Sequence, residues 1–315
     1  VRILNSDRRE FLSALVGGAA GLSFSWRAFG QAPPTPIQVT KLTDNLVLIS
    51  GDGGNIAVLL GEDGLFMVDG GYAERSGELL SKVSGLDSHP IRLLFDTHWH
   101  VDHVGANVAL GRAGVKIMAN ENVKKWLSQK VTMEAFNRTF DPLPAEGLPT
   151  VPFTKGGALM FGKTVVQYTH VETAHTDSDA FLFFPRQNVI HTGDLFFNGF
   201  YPVIDYSTGG WIGGMAAGAD AILKVGDAKT RVIPGHGPLA SKDDLKATRD
   251  MLETIHQRLE PMYKDGRSVD ETIAAAPTKD FDEKWAKGTM TPAVFTRVAY
   301  TSIQRHYAAV QNQKG

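Results

Sequence analysis

The run His98-Trp99-His100-Val101-Asp102-His103 constrains this chain more than any other feature, because it packs three imidazoles and a carboxylate into a stretch that no helix face could use. Each neutral imidazole offers one lone pair to a divalent cation and the carboxylate offers another, so the run supplies ligands for more than one ion. Residues 91–95 before it are apolar and β-rich, and read as a buried strand that ends at Asp96-Thr97. The ligands then sit on a loop at a strand's C-terminal end, where open α/β sheets carry their sites.

Composition narrows what surrounds such a site. With 315 residues, 43% hydrophobic and 21% charged, the chain can bury a full core in one large domain, or in one domain plus an extension. A formal charge of −2 and the lack of any Lys/Arg stripe argue against a nucleic-acid partner. Cysteine is absent, which excludes disulfides, thiolate zinc sites and a cysteine nucleophile together. Any metal must be held by His and carboxylate.

The segment Ser6-Asp7-Arg8-Arg9-Glu10-Phe11-Leu12 is a twin-arginine pattern, and the weakly apolar, Gly/Ala-rich stretch over 12–24 is too short for a stable membrane anchor. Residues 1–32 therefore read as an export signal with its cleavage region near Gly30 and Ala32, a frayed N-terminal helix being the plain alternative. This reading makes the twin-arginine export machinery a partner and the bacterial periplasm the destination.

A Pro-rich tether over 31–36 opens a linker spanning 33–40, and the main domain is expected over 41–250, with a helical extension over 251–315. Four β-rich runs at 37–42, 46–50, 56–60 and 65–68 are separated by turn residues. A helix over 73–83, the strand at 91, a strand over 115–119 and a helix over 121–136 follow. After a Pro-rich loop over 142–152 the grammar restarts with strands at 164–169, 180–184 and 189–192, a helix over 211–225 and a short strand at 231–233. Ser241 with Asp244 makes a capping box for a long helix whose Leu245, Leu252, Ile255, Leu259 and Met262 share one face.

Three more segments place a His or Asp on a loop beside an expected strand: Glu172-Thr173-Ala174-His175-Thr176-Asp177, His191-Thr192-Gly193-Asp194 and Ile233-Pro234-Gly235-His236-Gly237. Together with Met67-Val68-Asp69-Gly70 and the HxHxDH run, this ordered set resembles the metallo-β-lactamase superfamily, over all five of its motifs from Asp69 to His236. The resemblance implies an α/β fold of the four-layer αββα sandwich type, with the C-terminal helices added. It also implies a metal-dependent hydrolase with two zinc ions. His98, His100 and His175 would hold one, Asp102, His103 and His236 the other, and Asp194 would bridge them. A hydroxide shared by the metals would attack a small acyl substrate, with Asp102 steadying the nucleophile and the leaving group. A His/Asp site without sulfur accepts Mn, Fe or Co as readily as zinc.

Asp69 is expected to support the site without ligating metal. His170 and His191 read as satisfied core or surface histidines, and Trp99 as packing. The aromatic loop after Asp194 makes Phe197, Tyr201 and Tyr206 candidates for substrate contact.

For the substrate, Asp194 stands where the zinc β-lactamases of the family carry cysteine or serine, and Phe197 where the cysteine-bearing group has a carboxylate-gripping lysine. A cyclic ester or amide, lactone or β-lactam-like, is the first expectation. A glyoxalase II-like thioesterase or a phospho- or sulfo-ester hydrolase is the alternative, although no basic C-terminal cluster follows Glu260. Outside enzymology stands a non-catalytic periplasmic metal-binding protein, which would coordinate its ions completely.

Overall fold

The computed structural model describes residues 35–312, so the expected export signal lies outside the described residues. The first strands, β1 (Gln38–Lys41), β2 (Leu46–Ser50), β3 (Ile56–Gly61) and β4 (Gly64–Val68), form an antiparallel meander. After helix α1 (Ser76–Ser84) the chain returns in parallel as β5 (Ile91–Asp96), and after α2 (Asn107–Arg112) as β6 (Lys116–Asn120). Helix α3 (Glu121–Leu127) leads to a separate hairpin, β7 (Val131–Met133) with β8 (Arg138–Phe140), before β9 (Val151–Phe153) completes a seven-stranded sheet in the order β1-β2-β3-β4-β5-β6-β9.

The second sheet has six strands in sequence order: β10 (Gly157–Phe161), β11 (Thr164–His170), β12 (Ala180–Phe184), β13 (Val189–His191), β14 (Arg231–Ile233) and β15 (Ala240–Ser241). Helices α4 (Ile212–Leu223), α5 (Lys242–Lys264), α6 (Val269–Ala274), α7 (Asp282–Trp285) and α8 (Pro292–Asn312) complete the chain.

Why β2, β3 and β4 are apolar throughout, rather than alternating, follows from the layers. Leu46, Leu48, Ala57, Leu59, Phe66 and Val68 face the second sheet, where they meet Val166, Leu182, Phe184 and Ile233. Their neighbours Val47, Ile49, Ile56, Val58, Leu65 and Met67 face the other way, onto Leu79 and Val83 of α1 and Leu110 of α2. A strand covered on both faces needs apolar residues at both parities. The outer face of the second sheet, with Phe181, Ile190 and Val232, is closed by α4, α5 and α8. The result is the expected four-layer αββα sandwich.

The capping box at Ser241 and Asp244 is formed, and Leu245, Leu252, Ile255 and Leu259 are buried as their spacing predicts. Two expectations are corrected. The helix expected to 136 ends at Leu127, because Val131, Thr132 and Thr139 are β-branched and pair as a hairpin whose tight turn, ending at left-handed Asn137, resembles helix in sequence. Strand β9 occupies the end of the segment expected as a Pro-rich loop. Helix α5 runs through position 250, and Phe295, Val298 and Ile303 of the C-terminal helices share a core with Ile190 and Val232. Among the described residues no helix is long and apolar enough to cross a membrane.

Candidate metal centre

The site lies where β4, β5, β13 and β14 reach their C-terminal ends. Just past β4, Asp69 adopts a left-handed backbone (φ 65°), a conformation that Asp tolerates better than most residues. Its buried carboxylate accepts three hydrogen bonds: from Thr97 N at 2.8 Å, Thr97 Oγ1 at 2.9 Å and His103 Nδ1 at 2.7 Å.

Those bonds decide which way the lone pairs point. With its own proton spent on Asp69, the Thr97 hydroxyl oxygen accepts from His98 Nδ1 at 3.1 Å, so His98 Nε2 carries a bare lone pair. That nitrogen is buried without a hydrogen-bond partner. His100 gives its Nε2 proton to the Asp205 carboxylate at 3.3 Å, and His175 gives its Nδ1 proton to the Val203 carbonyl at 2.8 Å. The inner atoms, His100 Nδ1 and His175 Nε2, then face each other as two lone pairs 2.8 Å apart. Such an arrangement is repulsive unless an electrophile lies between them. His103 is fixed in the same sense by Asp69, leaving its Nε2 3.4 Å from that of His236.

The donor atoms of His98, His100, His175 and Asp194 form one group, and those of Asp102, His103 and His236 a second. Asp194 reaches both. Its Oδ2 lies 3.3 Å from His175 Nε2 and 3.7 Å from His98 Nε2, whereas its Oδ1 lies 3.1 Å from His103 Nε2 and 3.4 Å from His236 Nε2. In the second group His236 Nε2 is 3.1 Å from Asp102 Oδ2. Ligands about 2.0–2.1 Å from one tetrahedral ion are themselves about 3.3 Å apart, so these spacings fit a pair of bound cations.

Electrostatics support the same assignment. Burial pushes His98 well below the ordinary imidazole range and His175 down to about 4, so both are neutral donors. Burial opposes charge on His103 and His236 too, but Asp194 and the neighbouring carboxylates outweigh it, raising His103 well above its usual value and His236 to about 9. Asp102 and Asp194 thus demand positive charge beside them, which protons provide in the absence of metal.

Two close approaches require glycine. A Cβ on Gly54 would lie 2.2 Å from His103 Cε1, and one on Gly235 would lie 2.0 Å from Asp194 Oδ1. Asn55 joins these loops, donating from its backbone to Gly235 O at 2.8 Å and from its side chain to Pro234 O and Gly237 O, each at 2.9 Å.

All seven residues expected as ligands are brought together. Of the expected substrate contacts, Phe197 is beside them, stacked on His236 with ring centroids 5.1 Å apart. Tyr201 is a correction. Its side chain is fully buried, its ring stacks on Phe295 at 4.4 Å and its hydroxyl donates to Asp282 at 2.8 Å, so it ties the loop to the C-terminal helices. Tyr206 packs against that helical core as well.

His191 is satisfied as expected, between Asn55 O and Gly193 N, and His170 meets Asp177 O. Trp99 is buried and donates to Thr208 Oγ1 at 3.1 Å. The sequence pattern missed Asp205, which orients His100, and Tyr72, whose ring lies against the Gly53 backbone next to Asp102. A tyrosine three residues after Asp69 was the available signal for the latter; Asp205, far from any ligand motif, offered none.

Residues 49–248 match the family model described as the metallo-beta-lactamase superfamily. A hydroxyacylglutathione hydrolase, GloC, of Haemophilus influenzae is 26% identical over 220 residues, which cover 69% of this chain and 97% of the relative. Among solved structures, a metallo-beta-lactamase from Pontibacter korlensis superposes with a TM-score of 0.56 at 19% identity, covering 69% of this chain and 99% of its own. The sec-alkylsulfatase Pisa1 from Pseudomonas sp. superposes with a TM-score of 0.65 at 18% identity, covering 84% of this chain and 50% of its own. With a lone-pair cradle for divalent cations at the sheet ends and a family match spanning most of the sandwich, the chain belongs to the metallo-beta-lactamase superfamily and is a metal-dependent hydrolase.

Proposed function

We propose that the protein is a dinuclear zinc hydrolase of small acyl substrates, cleaving an ester-type carbonyl in a thioester or a lactone. The observation that carries this reading is the convergence of five imidazoles and two carboxylates into two adjoining donor groups, with Asp194 in reach of both. His98, His100 and His175 would hold one ion, Asp102, His103 and His236 the other, with Asp194 shared. Bound there, two divalent cations supply Lewis acidity and lower the pKa of water toward neutrality.

The chain's own residues do the remainder. Asp69, Asp205 and the Val203 carbonyl orient His103, His100 and His175 so that the other ring nitrogen of each turns toward the site. Asp102 and His236 are the most exposed of the cluster, at 13% and 21% of their side chains against 1% for His98, so substrate approaches from their side. Asp102 there accepts and returns the proton that moves between nucleophile and leaving group. Phe197 excludes water behind His236.

Support for an ester or thioester over a β-lactam comes from Asp194 and Phe197, which replace the family lactamases' cysteine or serine and lysine. The 26% identical relative is named for a thioester hydrolase activity, which favours the thioester. The test is a panel of thioesters, lactones, nitrocefin, aryl phosphates and aryl sulfates on zinc-reconstituted protein. Hydrolysis of a thioester or lactone that disappears in His98→Ala and Asp194→Ala supports the reading. Turnover confined to sulfates, or none, overturns it.

We also infer twin-arginine export to the periplasm, on the strength of Arg8-Arg9 and the weakly apolar stretch after them. Replacing both arginines by lysine should retain the protein in the cytoplasm.

A further inference from the structure

Trp99 stands between two of the clustered histidines, and its indole is committed on two sides. The ring packs edge-on against that of His100, with centroids 4.6 Å apart, and Nε1 donates to Thr208 Oγ1 at 3.1 Å. Thr208 Oγ1 donates in turn to Asp205 Oδ2 at 2.6 Å, and that same oxygen lies 3.3 Å from His100 Nε2. Trp99, Thr208, Asp205 and His100 therefore form a closed circuit, and all four are buried. An indole N–H can only donate, whereas a hydroxyl has one proton of its own. With the indole proton on its oxygen, Thr208 directs its own proton to the carboxylate beside it.

The backbone around Thr208 is fixed to the same cluster. Ser207 N donates to Asp205 Oδ1 at 3.0 Å, Asp205 N donates to His175 O at 2.9 Å, and Thr208 O accepts from Asp177 N at 2.7 Å. Packing is direct as well, since a Cβ on Gly210 would lie 2.1 Å from His175 O. Both oxygens of Asp205 are thus held by the loop that carries it, and residues 207 and 208 set where the carboxylate meets His100. The circuit ends on His100, a member of the donor group that also contains His98, His175 and Asp194, and not on Asp102, His103 or His236.

We propose that Thr208, its proton directed by Trp99, is a positioning residue for the cation of the first donor group. It holds the Asp205 carboxylate so that His100 presents its inner nitrogen in one orientation, and it sets affinity at that position while leaving the other alone. A buried carboxylate deprived of this donor must turn toward another, and its contact with His100 goes with it. Thr208 is not a ligand and touches no reacting atom. The proposal deepens the dinuclear reading above and rests on its division of the ligands.

Cobalt binding to the full chain tests it, followed by visible ligand-field absorption and by competition with a graded chelator series. Thr208→Val keeps the side chain's shape and removes its hydroxyl. It should weaken one of two cobalt ions about 10- to 100-fold and leave the other unchanged. At intermediate chelator its spectrum should match that of half-loaded His98→Ala. Thr208→Ser keeps the donor and should restore affinity to within about threefold of the wild type. Trp99→Phe releases the constraint on the threonine proton and should weaken the same ion about threefold, which decides the matter if the valine variant does not fold. Equal weakening of both ions, or a loss in Thr208→Ser as large as in Thr208→Val, marks a merely structural role and overturns the proposal. If His98→Ala loses one ion while Thr208→Val and Trp99→Phe lose no affinity, Thr208 is excluded and the dinuclear reading stands. If His98→Ala retains both ions, the division of the ligands fails, and the proposal with it.

Discussion

Asp69 accepts the Nδ1 proton of His103 across 2.7 Å while its other oxygen takes the backbone N–H of Thr97, so one non-ligand carboxylate orients ligands on two sides of the site. Replacing Asp69 by Asn keeps the tolerance for a left-handed backbone but weakens the pairing that turns His103 Nε2 inward. Affinity for the second cation should fall about 10- to 100-fold, as for other supporting residues of metal sites. Metal content by mass spectrometry after dialysis against a graded chelator series checks this. An unchanged two-ion stoichiometry at every chelator concentration would remove Asp69 from the site.

Gly54→Ala tests the closest approach. Its methyl group would overlap the His103 ring, which is fully buried and cannot retreat. The variant should lose the second ion while α5 and the C-terminal helices remain folded, giving a native-like far-ultraviolet spectrum with about half the metal.

Tyr201→Phe separates packing from recognition. The ring stays stacked on Phe295, but the hydroxyl's bond to Asp282 is lost, so stability should drop by about 1–2 kcal/mol in urea unfolding. Metal content and KM should be unaffected. A rise in KM without loss of stability would restore Tyr201 to the substrate wall.

Stability against pH should differ between metal-free and loaded protein. His175, depressed to about 4, contributes stability that is complete above the unfolded imidazole value near 6.5 and is lost as pH falls toward 4. His236, raised to about 9, contributes stability that is complete below that unfolded value and is lost as pH rises toward 9. Metal-free protein should therefore be most stable near neutrality, with melting temperature falling on both sides. Loading the site must displace the proton from His236, so zinc should abolish the alkaline decline. Melting curves from pH 4 to 10 in chelator and in zinc, with the same alkaline slope in both, would contradict the assignment of His236.

The clustering of the seven His and Asp residues was legible because each sits in a short motif at a strand end, where composition is dominated by chemistry rather than by packing. The layers were legible for a related reason: continuous apolar runs such as Leu46 to Ser50 signal strands covered on both faces. The β7–β8 hairpin was not, since Glu134, Ala135 and Phe136 are ordinary helix residues and only the pairing of Val131–Met133 with Arg138–Phe140 on either side makes them a turn. Asp205 escaped notice because its role depends on a contact across the fold, to His100. Tyr201 misled because an aromatic residue near a ligand looks the same in sequence whether it faces the cavity or Phe295. The amphipathic pattern of α5 shows that one face is buried, but not that its partner is the second sheet's own core.

Each ligand group draws on both sheets: His98 and His100 follow β5 and Asp102 and His103 lie on the same loop, whereas His175, Asp194 and His236 come from the ends of strands across the seam. A cation bound in either position would act as a rivet through the sandwich. Half a chain, or a chain whose halves have not docked, owns no complete donor set, so ion capture would be a late event of maturation and chelation an attack on the joint between the halves.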